Sequence, residues 1–385
     1  MRKKVYSAVL AGAVALAGIY HLFLRQELLS ASLIKLRAQS FEAESEHRYR
    51  DLASLARNRA RLYNEWINDT HLYKGLVVGK DLSTGRATSV CDSLLFSSLR
   101  YASLKKLGSD EEADKAWQAI AKNNYADGRW VRHPDCKRKS SSRDMIVGLM
   151  AALSQEPKGH DEAFAKLMGI IARTGGSVDD GPFYVSRLSP GLGELLKQMA
   201  LVRGYPKESL PSALKVGFST VEFDTWIAEP GFRAHLNAMT LWIELELISR
   251  HPDLEFRSLS AILDEISPDL GFGFQTQRRA FAAGELYNLD PENLFFEYLR
   301  LRTAGALTFA TRARLLEKLL AMPAFPRDRL PQDCDRRADY LWQRGSREYA
   351  GRTTCHEQFA GIDFLWMTAL LTEEPERKFA YRAAH

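Results

Sequence analysis

Several things that would name a reaction outright are missing from these 385 residues. There is no Gly-x-Ser-x-Gly elbow, no phosphate-binding glycine loop followed by Lys-Ser/Thr, and no dinucleotide fingerprint after a strand, which argues against serine hydrolase, nucleotide hydrolase and nicotinamide chemistry. His-Glu-x-x-His is absent, and the four cysteines form no Cys-x-x-Cys pair, so neither a zincin nor a zinc knuckle is expected. His133-Pro-Asp-Cys136 and Cys355-His356 fall short of metal-ligand spacing, and the expected metal and cofactor are none. A one-sided charge balance is lacking too. With 53 Lys and Arg against 48 Asp and Glu, scattered through most segments, there is no basic stripe for nucleic acid. Alternating strand patterns are nearly absent; "STVEF" around Val221 is the best of them. No fixed repeat period appears, which excludes tetratricopeptide-like solenoids.

What is present begins at the N-terminus. "MRKK" precedes "VYSAVLAGAVALAGIYHLFL", residues 5–24, an uncharged run closed by Arg25. A run of about twenty residues at ~1.5 Å each spans a hydrocarbon core, longer than the ~7–15 apolar residues of a cleaved signal. Residues 1–25 are read as an uncleaved single-pass anchor in the inner (cytoplasmic) membrane; the competing reading is cleavage after Ala15-Leu16-Ala17. Either way Arg2, Lys3 and Lys4 stay cytoplasmic, and the main domain lies on the extracytoplasmic side. An oxidising compartment suits paired cysteines. Of three possible pairings, Cys91 with Cys136 and Cys334 with Cys355 are preferred, because each closes a loop within one region.

Residues 26–70 contain no Pro or Gly, and Leu52, Leu55, Ala56, Arg59, Tyr63 and Trp66 recur at helical steps, so an amphipathic helix is expected there as stalk, dimer contact or strut. Residues 71–385 form the main domain. "CDSLLFSSLRYASLKKLG" ends on Gly108, and "SDEEADKAWQAIAKN" opens on Ser109 with acids in its first turn, a helical hairpin. Further helices are expected at 143–154, 160–173, 189–202, 233–250, 256–266, 277–288, 291–303, 308–321, 333–345 and 356–371, making the fold all-α.

Over roughly residues 70–375, "CDSLLFSSLRYASLKKLG" and "SRDMIVGLMAAL" resemble the inner-helix openings of six-hairpin glycosidase-like proteins. That resemblance implies an (α/α) toroid whose inner helices surround a funnel, with acids at their N-termini facing a glycan.

The candidate chemistry gathers in "GRWVRHPDCKRKSSSRDMIVGLMAAL", residues 128–153. Asp92 and Asp144 each open a helix, and glycoside hydrolysis needs two carboxyl groups. The alternative is that both serve their helix ends, Asp92 as a cap and Asp144 as a first-turn acid. Gly148 and Ala151, four and seven residues beyond Asp144, leave room for a helix or a ligand. A Cys91–Cys136 bridge ties the backbone beside Asp92 to the loop leading into Asp144. Asp127, Arg129, Trp130 and His133 then join the same rim, with Arg143 clamping a carboxylate or neutralising Asp144; Trp130 as core packing is the competing fate. Asp224, Trp226 and His235 form a second substrate-binding cluster, and Tyr184 sits on a Gly-rich lid after Asp179 and Asp180. The expected activity is hydrolysis of envelope or secreted polysaccharide, with a lyase variant using Arg143, His133 and Tyr184. The alternatives are a non-enzymatic scaffold and a glycan-binding protein of the cell envelope. The partners expected are a glycan and, through residues 5–24, the membrane.

Overall fold

The structure, a computed structural model, describes residues 34, 42–81, 83–137, 140–156, 160–179, 187–215, 217–228, 231–256, 275–321, 357–358 and 360–373. The anchor at 5–24, Tyr184, Cys334 with Cys355, and the helices expected at 256–266 and 333–345 lie outside the described residues, apart from residue 256 itself. Among the described residues no helix is long and apolar enough to cross a membrane.

The chain is predominantly helical: α1 Glu42–Thr70, α2 Ser93–Lys106, α3 Asp110–Asn123, α4 Arg143–Gln155, α5 Asp161–Thr174, α6 Pro190–Val202, the short α7 Ser212–Lys215 and α8 Val221–Trp226, α9 Phe232–Arg250, α10 Gln275–Leu289, α11 Leu294–Thr303, α12 Phe309–Leu320 and α13 Ile362–Thr372. Strands are short. β1 Leu72–Tyr73 pairs with β2 Leu76–Val77, β3 Gly79–Asp81 lies between β4 Ala87–Thr88 and β7 Glu357–Gln358, and β5 Tyr125–Ala126 pairs with β6 Arg129–Trp130, all antiparallel. Two sequence expectations are corrected. Val221–Phe223 of "STVEF" open α8, where Thr225 Oγ1 donates back to Val221 O and the helix packs on α9 and α10, while Ser219 and Thr220 precede it. The helix expected from 356 begins at Ile362, because Gly361 in the left-handed region (φ 68°) separates it from β7.

The helices fall into two kinds that alternate along the chain. α1, α3, α5 and α12 bury one stripe; in α3 it is Ala113, Ala116 and Ile120, while Asp110 and Glu111 stay in water. α2 is buried without interruption from Ser93 to Leu104, α4 from Met145 to Ser154, and α13 over its whole length. A helix apolar or small on every side needs neighbours all round. α2 lies against α3, α4 and α13, α4 against α9, and α9 against α6 and α11. Trp366 of α13 meets Trp242 of α9 edge-on at 4.6 Å and Phe295 of α11 at 6.2 Å. α1 packs as a strut along α12 and α13: Tyr49 donates to Leu371 O, Arg59 to Leu320 O, and Arg57 to Thr372 O.

The buried helices share one polarity. At their C-terminal ends Lys106 of α2, Glu246 of α9, Arg302 of α11 and Glu373 after α13 form one ion cluster. Burial raises the energy of the Glu246 carboxylate, but Arg302, Lys106 and Arg250 outweigh that and hold its pKa down to about 2. Arg203 and Arg250 serve the last carbonyls of α4 through Leu153 O and Ser154 O. The N-termini therefore gather at the opposite end, and the candidate residues lie there.

Candidate functional site

Cys91 and Cys136 are joined, with Cα atoms 5.2 Å apart. The bridge fastens the 3-10 turn Val90–Asp92 to the loop 131–137, and the backbone continues the bond: Leu94 N–H, in the first turn of α2, donates to Arg132 O at 3.1 Å. One of the helix's orphan donors is thereby met by a carbonyl. Asp92 occupies the cap position of α2 but makes no capping hydrogen bond with its side chain.

Arg132 is the centre of the site, and sequence reasoning passed over it for its neighbours Arg129 and Arg143. Its Nε donates to Ser140 O at 3.0 Å and its Nη1 to Cys91 O at 3.1 Å, while Nη2 donates to Ser142 Oγ at 2.6 Å. Nη1 also stands 3.7 Å from Asp92 Oδ1. Ser142 Oγ in turn donates to Asp144 Oδ1 and makes no cap bond to α4. Asp92 and Asp144 are thus separated by one guanidinium and one hydroxyl. The signal available in the sequence was position: Arg132 lies four residues inside the Cys136 end of the bridge, hence beside Asp92.

Arg143 does not clamp Asp144 by any contact found among the described residues. It is exposed at the first position of α4, and its charge acts on Asp224. Asp224 Oδ2 accepts from Thr220 Oγ1, and a β-carbon on Gly191 in α6 would lie 2.9 Å from that hydroxyl and 3.9 Å from Oδ2. Half-burial pushes the Asp224 carboxyl above the ordinary range, against the opposing pull of Thr220 and Arg143.

Other expected site residues are placed elsewhere. Asp127 and Gly128, both at positive φ (53° and 77°), make the two-residue turn between β5 and β6; Asp127 is exposed at that tip, and Arg173 bonds Gly128 O. Arg129 is half-buried on β6. Trp130 is 1% exposed and packs edge-on against Tyr125, so it belongs to the core and offers no face to a sugar. His133 is fully buried, stacked on Tyr73 at 5.4 Å, and Asp135 N–H donates to its Nδ1. Burial lowers its pKa, so it is neutral near pH 7, but its burial leaves it off the rim as a lyase base. His235 is also buried, with Nδ1 on Gly231 O at 2.8 Å, at the start of its own helix, and Nε2 on the Asn293 amide at 3.0 Å, which joins the N-termini of α9 and α11. Trp226 is exposed, yet two positions on from Asp224 it projects from a different face of α8. Among the described residues no group of three His, Cys, Asp or Glu side chains gathers as metal ligands would.

No protein-family model matches the chain, and no curated protein matches it. The site is therefore read from its own chemistry.

Proposed function

We propose that the chain is a membrane-anchored, extracytoplasmic glycan-active protein, a glycoside hydrolase of envelope or secreted polysaccharide built on an (α/α) toroid. Support for the toroid comes from the alternation of helices. Among the described residues the buried helices α2, α4 and α13 follow the one-stripe helices α1, α3 and α12, and the last of them, α13, packs against the first, α2. In such a ring the common N-terminal end is the mouth of the funnel.

The observation that carries the reading is the bridged pair: Asp92 and Asp144, at the N-terminal ends of two adjoining buried helices, held by Arg132 and Ser142 and caps of neither helix. Hydrolysis needs a carboxylate that draws a proton from water or attacks the anomeric carbon, and a carboxylic acid that protonates the departing oxygen. The parallel helix N-termini add a positive field that favours ionised carboxylates at this end.

The test is release of reducing ends by the full chain in detergent from peptidoglycan, cellulose, xylan, alginate and poly-N-acetylglucosamine. Turnover of one of these by the native chain, lost in Asp144→Asn with the fold intact, is the expected result. Unsaturated products absorbing in the ultraviolet would move the reaction to elimination. Neither cleavage nor binding of any glycan would overturn the reading and return the chain to an envelope scaffold.

A further inference from the structure

Positive charge is treated differently at the two ends of the buried helices. On the one-stripe helices cations are matched to acids one turn away, Arg61 to Glu65, Lys115 to Glu111 and Lys166 to Glu162, and at the C-terminal end Lys106, Arg250 and Arg302 share Glu246. The N-terminal end differs. Lys137, Arg143, Arg187 and Arg233 are all exposed there, and among the described residues no ion pair or side-chain hydrogen bond engages any of them. Lys80 and Arg86, on the hairpin that leads into α2, and Lys122, in the last turn of α3, share that end and also lack such a partner; Lys207, after α6, is the exception at the other end. Resting on the glycan-active reading above, we propose that the substrate is an anionic glycan, one carrying carboxylate or phosphate groups on its sugars, and that Arg143, Arg187 and Arg233 receive those groups.

The three arginines are brought together around α8. The charge of Arg143, the first residue of α4, reaches Asp224 of α8. A β-carbon on Gly191, in the first turn of α6, would lie 3.9 Å from the same carboxyl. Arg187 stands four residues before Gly191, at most about 14 Å away along the chain. Arg233 is the second residue of α9, the helix that follows α8 and packs on it, on α4 and on α6. Packed helices lie about 8–10 Å apart, so the three side chains start from one group of adjoining helix ends. Lys137 carries the rim on toward Asp92, because Cys136 beside it is bridged to Cys91.

The described acids of this arc are already engaged. Asp144 accepts from Ser142 and Asp224 from Thr220, while Glu292, exposed before α11, forms no ion pair with any of the four cations. The guanidinium forks are therefore open to oxyanions from outside the chain, and their shape suits carboxylate and phosphate alike, held by two bonds at once. A polyanion approaching Asp92 and Asp144 would be repelled by two carboxylates, and cations placed around the mouth offset that repulsion. A net charge of only +5, with the remaining cations scattered or paired, gives no continuous basic stripe for a nucleic-acid backbone, which favours a glycan as the polyanion.

The test is a set of titrations of the full chain in non-ionic detergent, at low and at high salt. The probes are alginate, polygalacturonate and phosphomannan, the two uronates after reduction of their carboxyl groups to alcohols, neutral dextran and xylan, and single-stranded RNA. Tightest binding is expected for an anionic glycan, weakened by salt and lost on carboxyl reduction where the anion is a uronate; whether a uronate or phosphomannan binds names the anion. Arg143→Gln, Arg187→Gln and Arg233→Gln should each weaken that binding by about tenfold at an unchanged melting midpoint, whereas Lys207→Gln, which removes the same charge from the opposite end, should leave it as it is. A neutral glycan bound or cleaved as well as any anionic one, or anionic binding that survives the arginine exchanges, overturns the proposal and leaves the glycosidase reading standing. RNA bound as tightly as the best glycan overturns it too and assigns the rim to nucleic acid. An anionic glycan held through the arginines yet never cleaved upholds the proposal and overturns hydrolysis alone. Neither binding nor cleavage of any glycan overturns both.

Discussion

Gly148→Ala tests the contact that holds the two acid-bearing helices together. Gly148 is midway along α4, where a β-carbon would meet Leu95 Cα at 2.8 Å, Leu95 Cδ1 at 2.8 Å and Leu95 O at 3.2 Å. The Leu95 side chain can turn away, but its Cα and carbonyl belong to the backbone of α2 and move only with the helix. Two opposing effects compete. Alanine in a helix interior gains about 1 kcal/mol over glycine, whereas overpacking a tight core costs about 1–3 kcal/mol. Because the obstruction is backbone, the upper part of that range applies and the net loss is about 1–2 kcal/mol. For a chain of this size that is a melting midpoint lower by roughly 1–3 °C.

Gly169→Ala is the matched control. Gly169 is on α5 with nothing within 4 Å of its added β-carbon, so the propensity gain of about 0.5–1 kcal/mol is all that remains and the midpoint should rise. Thermal unfolding of the two variants should therefore move in opposite directions. Glycan turnover should fall in Gly148→Ala, since prising α4 from α2 draws Asp144 and Ser142 away from Arg132. If Gly148→Ala raises the midpoint as Gly169→Ala does, α2 and α4 are not in backbone contact and the argument for a shared rim fails with it.

Replacing Cys91 and Cys136 by serine opens a loop of 45 residues and should cost about 4 kcal/mol on the chain-entropy account; urea unfolding with and without reductant checks it, and no difference would refute it. Arg132→Met leaves Ser140 O, Cys91 O and Ser142 Oγ short of a donor, a loss of about 1–3 kcal/mol in denaturant unfolding, with Arg132→Lys recovering part of the turnover. Asp224 has a folded-state pKa above its ordinary 3.8, so below that value its contribution is fully present, and it is lost as pH rises through the raised value. Asp224→Asn should then melt above the native chain at pH 7 and alongside it near pH 3.5; equal midpoints at pH 7 would refute the burial argument. For residues 5–24, the full chain should stay with membranes through a high-salt wash, and a mature chain starting at Gly18 would show cleavage instead.

Much of the helical content was legible because it rests on periodicity and punctuation. Gly108 ends α2's hairpin at φ 75°, and α4, α5 and α9 begin and end within one residue of the expected bounds. The bridge of Cys91 to Cys136 was legible from loop closure alone. Features that depend on approach through space were not. "STVEF" carries strand-forming residues, but Val221 is buried against the core, and packing on α9 and α10 decided for helix. His235 has the composition of a site residue, yet its nitrogens meet Gly231 O and Asn293, a partner 58 positions away. Arg132 shows the converse: a loop arginine with no motif around it, made central by where Cys91, Ser140 and Ser142 come together.

The question that sequence left open, whether acids at helix openings are caps or chemistry, turns on which groups serve the helix N–H donors. In α6 the Leu192 N–H is served by Ser189 Oγ, in α11 the Phe295 and Phe296 N–H groups by Asn293, and in α12 the Thr311 N–H by Thr308. These are the uncharged cap residues that end most helices. In α2 the carbonyl of Arg132 serves Leu94 N–H, and in α4 the would-be cap, Ser142, gives its hydroxyl to Asp144 and makes no cap bond. A cap is worth about 1 kcal/mol, and α4 forgoes its side-chain cap. Where an ordinary structural acid would sit on the helix end and supply it, Asp144 faces Ser142, and Asp92 faces Arg132. Ser109 of α3 also makes no side-chain cap bond, so what sets α4 apart is that its cap hydroxyl is turned to a carboxylate; the Asn-for-Asp exchange at 144, which keeps shape and loses charge, separates a use in chemistry from one in stability.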